Sequence, residues 1–359
     1  MDLFGVSVIS PVFLAALGVL AAVLGVPAVR RRARRRTPWV GLAVVLALVL
    51  AADSVNTYFA YLPRLGDVAG VPTWPTVPAS VLRQGPAGPQ PRGAVVRWQF
   101  DARVSRTGRE DVWTYLPPQW FSEPTRRFPV LYLLHGSPGV PLDWLRAGGL
   151  VPSALTAAQQ GRPVIVVLPR IGHGWLDDTE CVDGPRQHAQ TYLVDDVVST
   201  VDRTLRTLPA RDERAIGGMS AGGYCALNVG LRHREVFSTV LDFSGLTRPT
   251  HLGGTKVLYG TKAPDLVARD SPQAYVDRLG PSPRTQVWLD VGAQDGEVRP
   301  IVQALAPRLR SRGIETVLKQ RPGRHTFHVW RPALADALPW AAARMPQPYV
   351  DVGTVAAAA

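Results

Sequence analysis

Lysine and cysteine are among the residues this chain of 359 has least of: three lysines (Lys256, Lys262, Lys319) and two cysteines (Cys181, Cys225). Two cysteines, with no Cys/His spacing of metal-ligand type, argue against a zinc site. No G-x-G-x-x-G follows a strand-like run, which argues against a dinucleotide, so neither metal nor cofactor is expected. No internal repeat is present, and a solenoid is set aside. Charge is also sparse, at 19% of residues, yet it sums to +12. Half of that sum sits in one run, Arg30, Arg31, Arg32, Arg34, Arg35 and Arg36. What remains is spread thinly, and the near-exclusive use of arginine reads as the coding bias of a GC-rich genome; a nucleic-acid partner is not expected. The length suffices to bury a full core without disulfides or metals.

What is there in quantity is apolar sequence on both sides of the arginine run. Residues 3–29 carry no charge and at 1.5 Å per residue are long enough to cross a ~30 Å hydrocarbon core. A cleaved signal peptide needs a positive n-region before a short apolar stretch, whereas here the positive charges follow it. The stretch 39–62 is a weaker second span: its clean apolar part ends at Ala52, and Asp53, Ser54, Asn56 and Thr57 follow, with Tyr58, Phe59 and Tyr61 as an aromatic belt. Two spans make the Arg-rich loop 30–38 cytoplasmic and leave everything after Leu62 outside the cytoplasm, the topology of a multi-pass cell-membrane protein; a single span followed by a buried amphipathic helix would reverse that. From 63 to 94 seven prolines and several glycines predict a semi-extended linker without helix or central strand.

From Val95 the pattern alternates β-rich and helical runs, which predicts an α/β domain over 95–345 with a mostly parallel sheet and helices on both faces, followed by a tail, 346–359. Val95–Phe100 and Asp111–Leu116 read as an opening antiparallel hairpin. The runs 130–134 and 164–168 are apolar throughout and suit strands buried on both faces.

Gly218-Met219-Ser220-Ala221-Gly222 stands between a predicted strand and a predicted helix. A G-x-S-x-G in that position is a nucleophile elbow, which lifts the serine Oγ off the end of a sheet. A serine hydroxyl needs a base, and in this arrangement the order is serine, acid, histidine. His325 follows the last strand through a loop able to reach Ser220, with His328 as the alternative three residues on. For the acid that fixes the imidazole tautomer, Asp295 follows the penultimate strand, with Glu297 as substitute; Asp290 is expected to be tied into the strand end. The oxyanion needs two backbone donors: Ala221 N–H and, in the loop His135-Gly136-Ser137-Pro138-Gly139, Ser137 N–H, since Pro138 cannot donate. Outside the cytoplasm an even cysteine count permits a disulfide between Cys181 and Cys225, although Cys225 is equally suited to be a small core residue.

These residues, together with Asp143-Trp144, Thr191-Tyr192-Leu193 and Gly323-Arg324-His325, resemble the esterase D-like putative esterase family of the α/β-hydrolase superfamily, and within it the mycolyltransferase-like branch of actinobacteria. The resemblance covers roughly 95–345. It implies a membrane-anchored, extracytoplasmic serine esterase or acyltransferase that works through an acyl-Ser220 intermediate resolved by water or a sugar hydroxyl, on ester substrates such as envelope lipids or glycolipids. Mycolyltransferases proper carry an arginine soon after the oxyanion-loop residue and a glutamate as acid, where this chain has Pro138-Gly139 and Asp295; the expectation is therefore an esterase or a transferase with another acceptor. The competing expectation is an inactive α/β-hydrolase scaffold that binds an envelope glycan or a protein.

Overall fold

The structure, a computed structural model, describes residues 37–347 apart from 86–87, 252, 261–262 and 282–283, together with residues 7, 8 and 18. Nearly all of the first expected span, most of the Arg-rich loop and nearly all of the tail lie outside the described residues. Helix α1 (Thr37–Phe59) coincides with the second expected span. Among the described residues it supplies the one segment, Gly41–Phe59, that is long and apolar enough to cross a membrane, with a mean hydropathy of 1.8.

Among the described residues nine strands form one sheet in the order β1-β2-β3-β5-β4-β6-β7-β8-β9. The expected hairpin is β2 (Ala94–Ala102) against β3 (Gly108–Leu116), antiparallel. Strand β3 also pairs antiparallel with β5 (Ile165–Leu168). From β5 onward the sheet is parallel: β4 (Val130–Leu134), β6 (Arg214–Met219), β7 (Thr239–Phe243), β8 (Gln286–Gly292) and β9 (Glu315–Arg321). Helices cover both faces, so β4 and β5 are buried at every residue, which is why they read as unbroken apolar runs rather than alternating ones. Helices α2 (Leu150–Gln159) and α5 (Phe327–Arg344) pack together on one face, where Leu150, Ala154, Trp330, Ala333 and Leu334 join the core. On the other face lie α3 (Ala221–Arg232) and α4 (Val298–Ser311), contributing Leu227, Leu231, Val302 and Leu305.

The stretch 63–94 differs from the expected semi-extended linker. It holds two single-turn helices, Leu65–Val68 and Val81–Gln84, and a two-residue strand, β1 (Thr76–Val77), parallel to β2. Proline forbids a long helix or a central strand, but one turn of helix or two residues at a sheet edge demand few N–H donors. The stretch is therefore a strap on the domain: Trp74 and Val81 are buried, and Val95 N–H donates to the Pro75 carbonyl (2.8 Å).

Candidate active site

The parallel strands β4, β6, β7, β8 and β9 all end at one edge, where loops converge, as ligand sites in open α/β sheets do. At the end of β6 the chain turns sharply into α3 at Ser220, whose backbone sits at φ 55°, ψ −121°. A non-glycine residue holds such a conformation only when its surroundings enforce it. Here Ser220 N–H donates to the Phe243 carbonyl (2.9 Å) and the Ser220 carbonyl accepts from Tyr224 N–H (3.0 Å). The flanking glycines are steric requirements: a Cβ on Gly218 would run into the Gly222 carbonyl, and one on Gly222 into the carbonyls of His135 and Leu134.

Ser220 Oγ lies 2.7 Å from His325 Nε2, and His325 Nδ1 lies 2.8 Å from Asp295 Oδ2. His325 comes from the loop after β9 and Asp295 from the loop after β8. Asp295 Oδ1 accepts from Val298 N–H (3.2 Å), so the carboxylate is pinned to the first turn of α4. Burial acts to raise the Asp295 carboxyl, but the hydrogen bond and charge of His325 and the backbone N–H groups of Val298 and Glu297 outweigh it and hold the group below the usual carboxylate range. The other two candidates stand outside this hydrogen-bonded series. His328 Nε2 is 2.8 Å from the Thr57 carbonyl at the end of α1. Glu297 lines the cavity over Ser220, while the His325 ring is held by Asp295. Asp290 is tied into the strand end through Arg321, whose Nε lies 2.9 Å from each carboxylate oxygen.

The loop after β4 is held from several sides. His135 is buried, its Nδ1–H donating to the Gly136 carbonyl (2.7 Å) and its Nε2 accepting from Ile171 N–H (3.2 Å). Burial pulls this imidazole down to about 4, so it is neutral at ordinary pH. Gly139 N–H donates to the Trp175 carbonyl (2.9 Å) and Val140 N–H to Asp143 Oδ2 (2.7 Å). The Ser137–Pro138 peptide is cis. Ser137 and Ala221 both line the cavity that contains Ser220, Asp295 and His325.

Two cavities meet at Ser220. One, of about 540 Å³, has a polar far wall of Asp178, Glu180, Thr250 and His251. The other, of about 480 Å³, is walled by α1 and by Trp175, Phe327 and Trp330. Neither wall announced itself in the sequence, because both come from loops and from the helices α1 and α5 rather than from motifs. Glu180 is buried with its Oε1 accepting from Thr250 N–H (2.6 Å), and burial pushes its carboxyl up to about 8. It precedes Cys181, which is joined to Cys225 of α3 by a disulfide with Cα atoms 5.4 Å apart. The bridge ties the Glu180 loop to the helix that Ser220 starts. Among the described residues no group of three His, Cys, Asp or Glu side chains could hold a metal.

The family model described as "Putative esterase" matches residues 106–341. An uncharacterized protein of Corynebacterium glutamicum is 28% identical over 319 residues, 84% of this chain and 74% of its own length. A Mycobacterium tuberculosis protein named as an esterase is 28% identical over 260 residues, 64% of this chain; the match spans 56% of that protein, little more than half its length. Among solved structures a ferulic acid esterase superposes with a TM-score of 0.62 at 23% identity, covering 71% of this chain and 99% of its own; at that identity the likeness is one of α/β-hydrolase-like fold.

Proposed function

The chain belongs to the "Putative esterase" family, whose model matches residues 106–341, and is a carboxylic ester hydrolase; from that premise we propose that it is a membrane-anchored serine esterase or acyltransferase acting through an acyl-Ser220 intermediate. The observation that carries the proposal is the hydrogen-bonded series Ser220 Oγ, His325 and Asp295, at 2.7 and 2.8 Å.

In this reading His325 Nε2 takes the Ser220 proton as Oγ attacks the ester carbonyl carbon. The carbonyl oxygen becomes an oxyanion held by the N–H groups of Ser137 and Ala221. Collapse breaks the bond to the alcohol oxygen, which leaves with the proton from His325. Water, or a sugar hydroxyl, then repeats the sequence on acyl-Ser220: it gives its proton to His325, attacks the carbonyl, and the acid or new ester departs as Oγ recovers the proton. Asp295 keeps the imidazole proton on Nδ1 and stabilises the imidazolium.

Anchoring is supported by α1 and by the uncharged stretch 3–29, and the Arg30–Arg36 run between them favours two spans with the catalytic domain outside the cytoplasm. Envelope lipids or glycolipids are the proposed ester substrates. Fluorophosphonate labelling of the full chain tests the mechanism: wild type should label at neutral pH and Ser220→Ala should not. A wild-type protein that takes no label would sink it in favour of a binding scaffold.

A further inference from the structure

The cavity on the α1 side of Ser220 has a composition unlike its neighbour. Ala52, Val55 and Phe59 of α1 form one wall, Phe327 and Trp330 of α5 another, and Trp175 the rim, while Ser220 and His325 stand at its inner end. Two of the polar side chains on its lining are engaged by backbone: the Asn56 amide closes on the Leu62 backbone (2.8 and 2.7 Å), and Asp143 Oδ2 accepts from Val140 N–H. The wall is built rather than incidental. His328 Nε2 meets the Thr57 carbonyl, and Tyr61 stacks edge-on against Phe327 with ring centroids 5.6 Å apart. The segment that carries His325 therefore also carries the contacts that dock the end of α1.

Helix α1 presents apolar side chains outward along its length, from Val45 at 55% and Leu48 at 65% exposed to Val55 at 58%. At the rim of the catalytic opening Trp175 and Leu176 are 54% and 72% exposed. Exposed Trp and Leu beside an apolar helix are the side chains that settle into a membrane interface. A span that leaves the lipid near Phe59 puts this cavity at the level where acyl chains end and headgroups begin.

We propose that the last turns of α1 form the acyl subsite of the enzyme, so that the substrate is an ester of a medium- or long-chain fatty acid drawn from the adjoining leaflet. The acyl chain lies along Ala52, Val55 and Phe59, and the alcohol part, rich in hydroxyls, occupies the polar cavity beside Asp178, Glu180 and Thr250. This rests on the serine-esterase reading above and adds to it that the anchor is part of the active site. A methylene displaces roughly one water's share of space, about 30 Å³, so the cavity takes a chain on the order of ten carbons. Each methylene buried there raises kcat/KM by about fourfold.

The test uses the full chain reconstituted in phosphatidylcholine vesicles and p-nitrophenyl esters from acetate to decanoate. The readout is the ratio of kcat/KM for decanoate to that for acetate, compared between variants so that partitioning of the ester into lipid cancels. Filling the subsite by Ala52→Trp, or by Val55→Trp as a second variant, should lower the ratio at least tenfold. Leu48→Trp, on the same helix but outside the cavity lining, should leave it within twofold. An unchanged ratio in both filling variants overturns the proposal, as does a flat chain-length profile from a wild-type protein that labels at Ser220. No fluorophosphonate label on the wild type would instead overturn the esterase reading beneath it.

Discussion

Replacing Asp295 by asparagine removes one charge and no volume, and the structure dictates how the new side chain must sit. Val298 N–H donates to Oδ1 and needs an acceptor there, so the carbonyl oxygen of the introduced amide takes that place and its NH₂ faces His325. The imidazole must then accept at Nδ1 and carry its proton on Nε2, the nitrogen 2.7 Å from Ser220 Oγ. In that tautomer it cannot receive the serine proton, and the charge that would stabilise the imidazolium is gone. The expected loss in kcat is about 10⁴-fold, a barrier increase of about 5 kcal/mol. Because asparagine caps a helix as well as aspartate does, stability should change by less than about 1 kcal/mol. Steady-state hydrolysis of p-nitrophenyl acetate gives kcat, and thermal unfolding followed by circular dichroism gives stability. Glu297→Gln, two residues away on the same cavity wall, should cost less than about threefold, since Glu297 supplies no bond to the base. The reasoning is refuted if Asp295→Asn keeps more than a tenth of wild-type kcat, or if Glu297→Gln loses as much.

The strained backbone at Ser220 predicts that Ser220→Gly unfolds at higher urea than Ser220→Ala, by about 1 kcal/mol, because only glycine meets φ 55°, ψ −121° without a Cβ penalty; equal midpoints would show that the elbow stores no strain. Burial raises the Glu180 carboxyl from an ordinary 4.5 to about 8, so the stability of its neutral form is complete below the unfolded value and is lost as pH rises through 8; Glu180→Gln should match wild type near pH 4 and exceed it on the order of 2 kcal/mol by pH 8.5, and parallel stability curves would contradict this. Removing the bridge by Cys181→Ala with Cys225→Ala frees a loop closed over a separation of 44 residues and should cost about 4 kcal/mol in urea unfolding, with a higher KM because the Glu180 loop loses its tie to α3; an unchanged KM would separate the loop from substrate binding.

What could be read from the residues and what could not follow different physics. Ser220, Asp295 and His325 each stand within a few residues of a strand end, and the sheet sets where strand ends lie; Asp295 is three residues past Gly292 and His325 four past Arg321. Short β-rich runs alternating with helical ones locate those strands, so order along the chain carries over into proximity in space. The cavity walls have no such rule. Glu180 takes its place through Thr250, 70 residues away, and through the Cys181–Cys225 bridge, while the end of α1 is placed by a bond between Thr57 and His328, 271 residues apart. Contacts of that range leave no periodicity behind.

The prolines between 63 and 94 show how a correct local rule can lead to a wrong tertiary expectation. Each forbids an interior helix or central-strand position, and none occupies one. Yet a fully extended tether of that length would reach about 100 Å, enough to separate the catalytic domain from anything α1 crosses. Two short helices, an edge strand and the buried Trp74 shorten it to a strap lying on the sheet, and Tyr61 meets Phe327 two residues beyond His325. The distance between the nucleophile and the end of the apolar helix is thus set by packing rather than by tether length. If α1 spans a bilayer, the surface of that bilayer lies beside Ser220, and ester substrates dissolved in the lipid reach it without first crossing water.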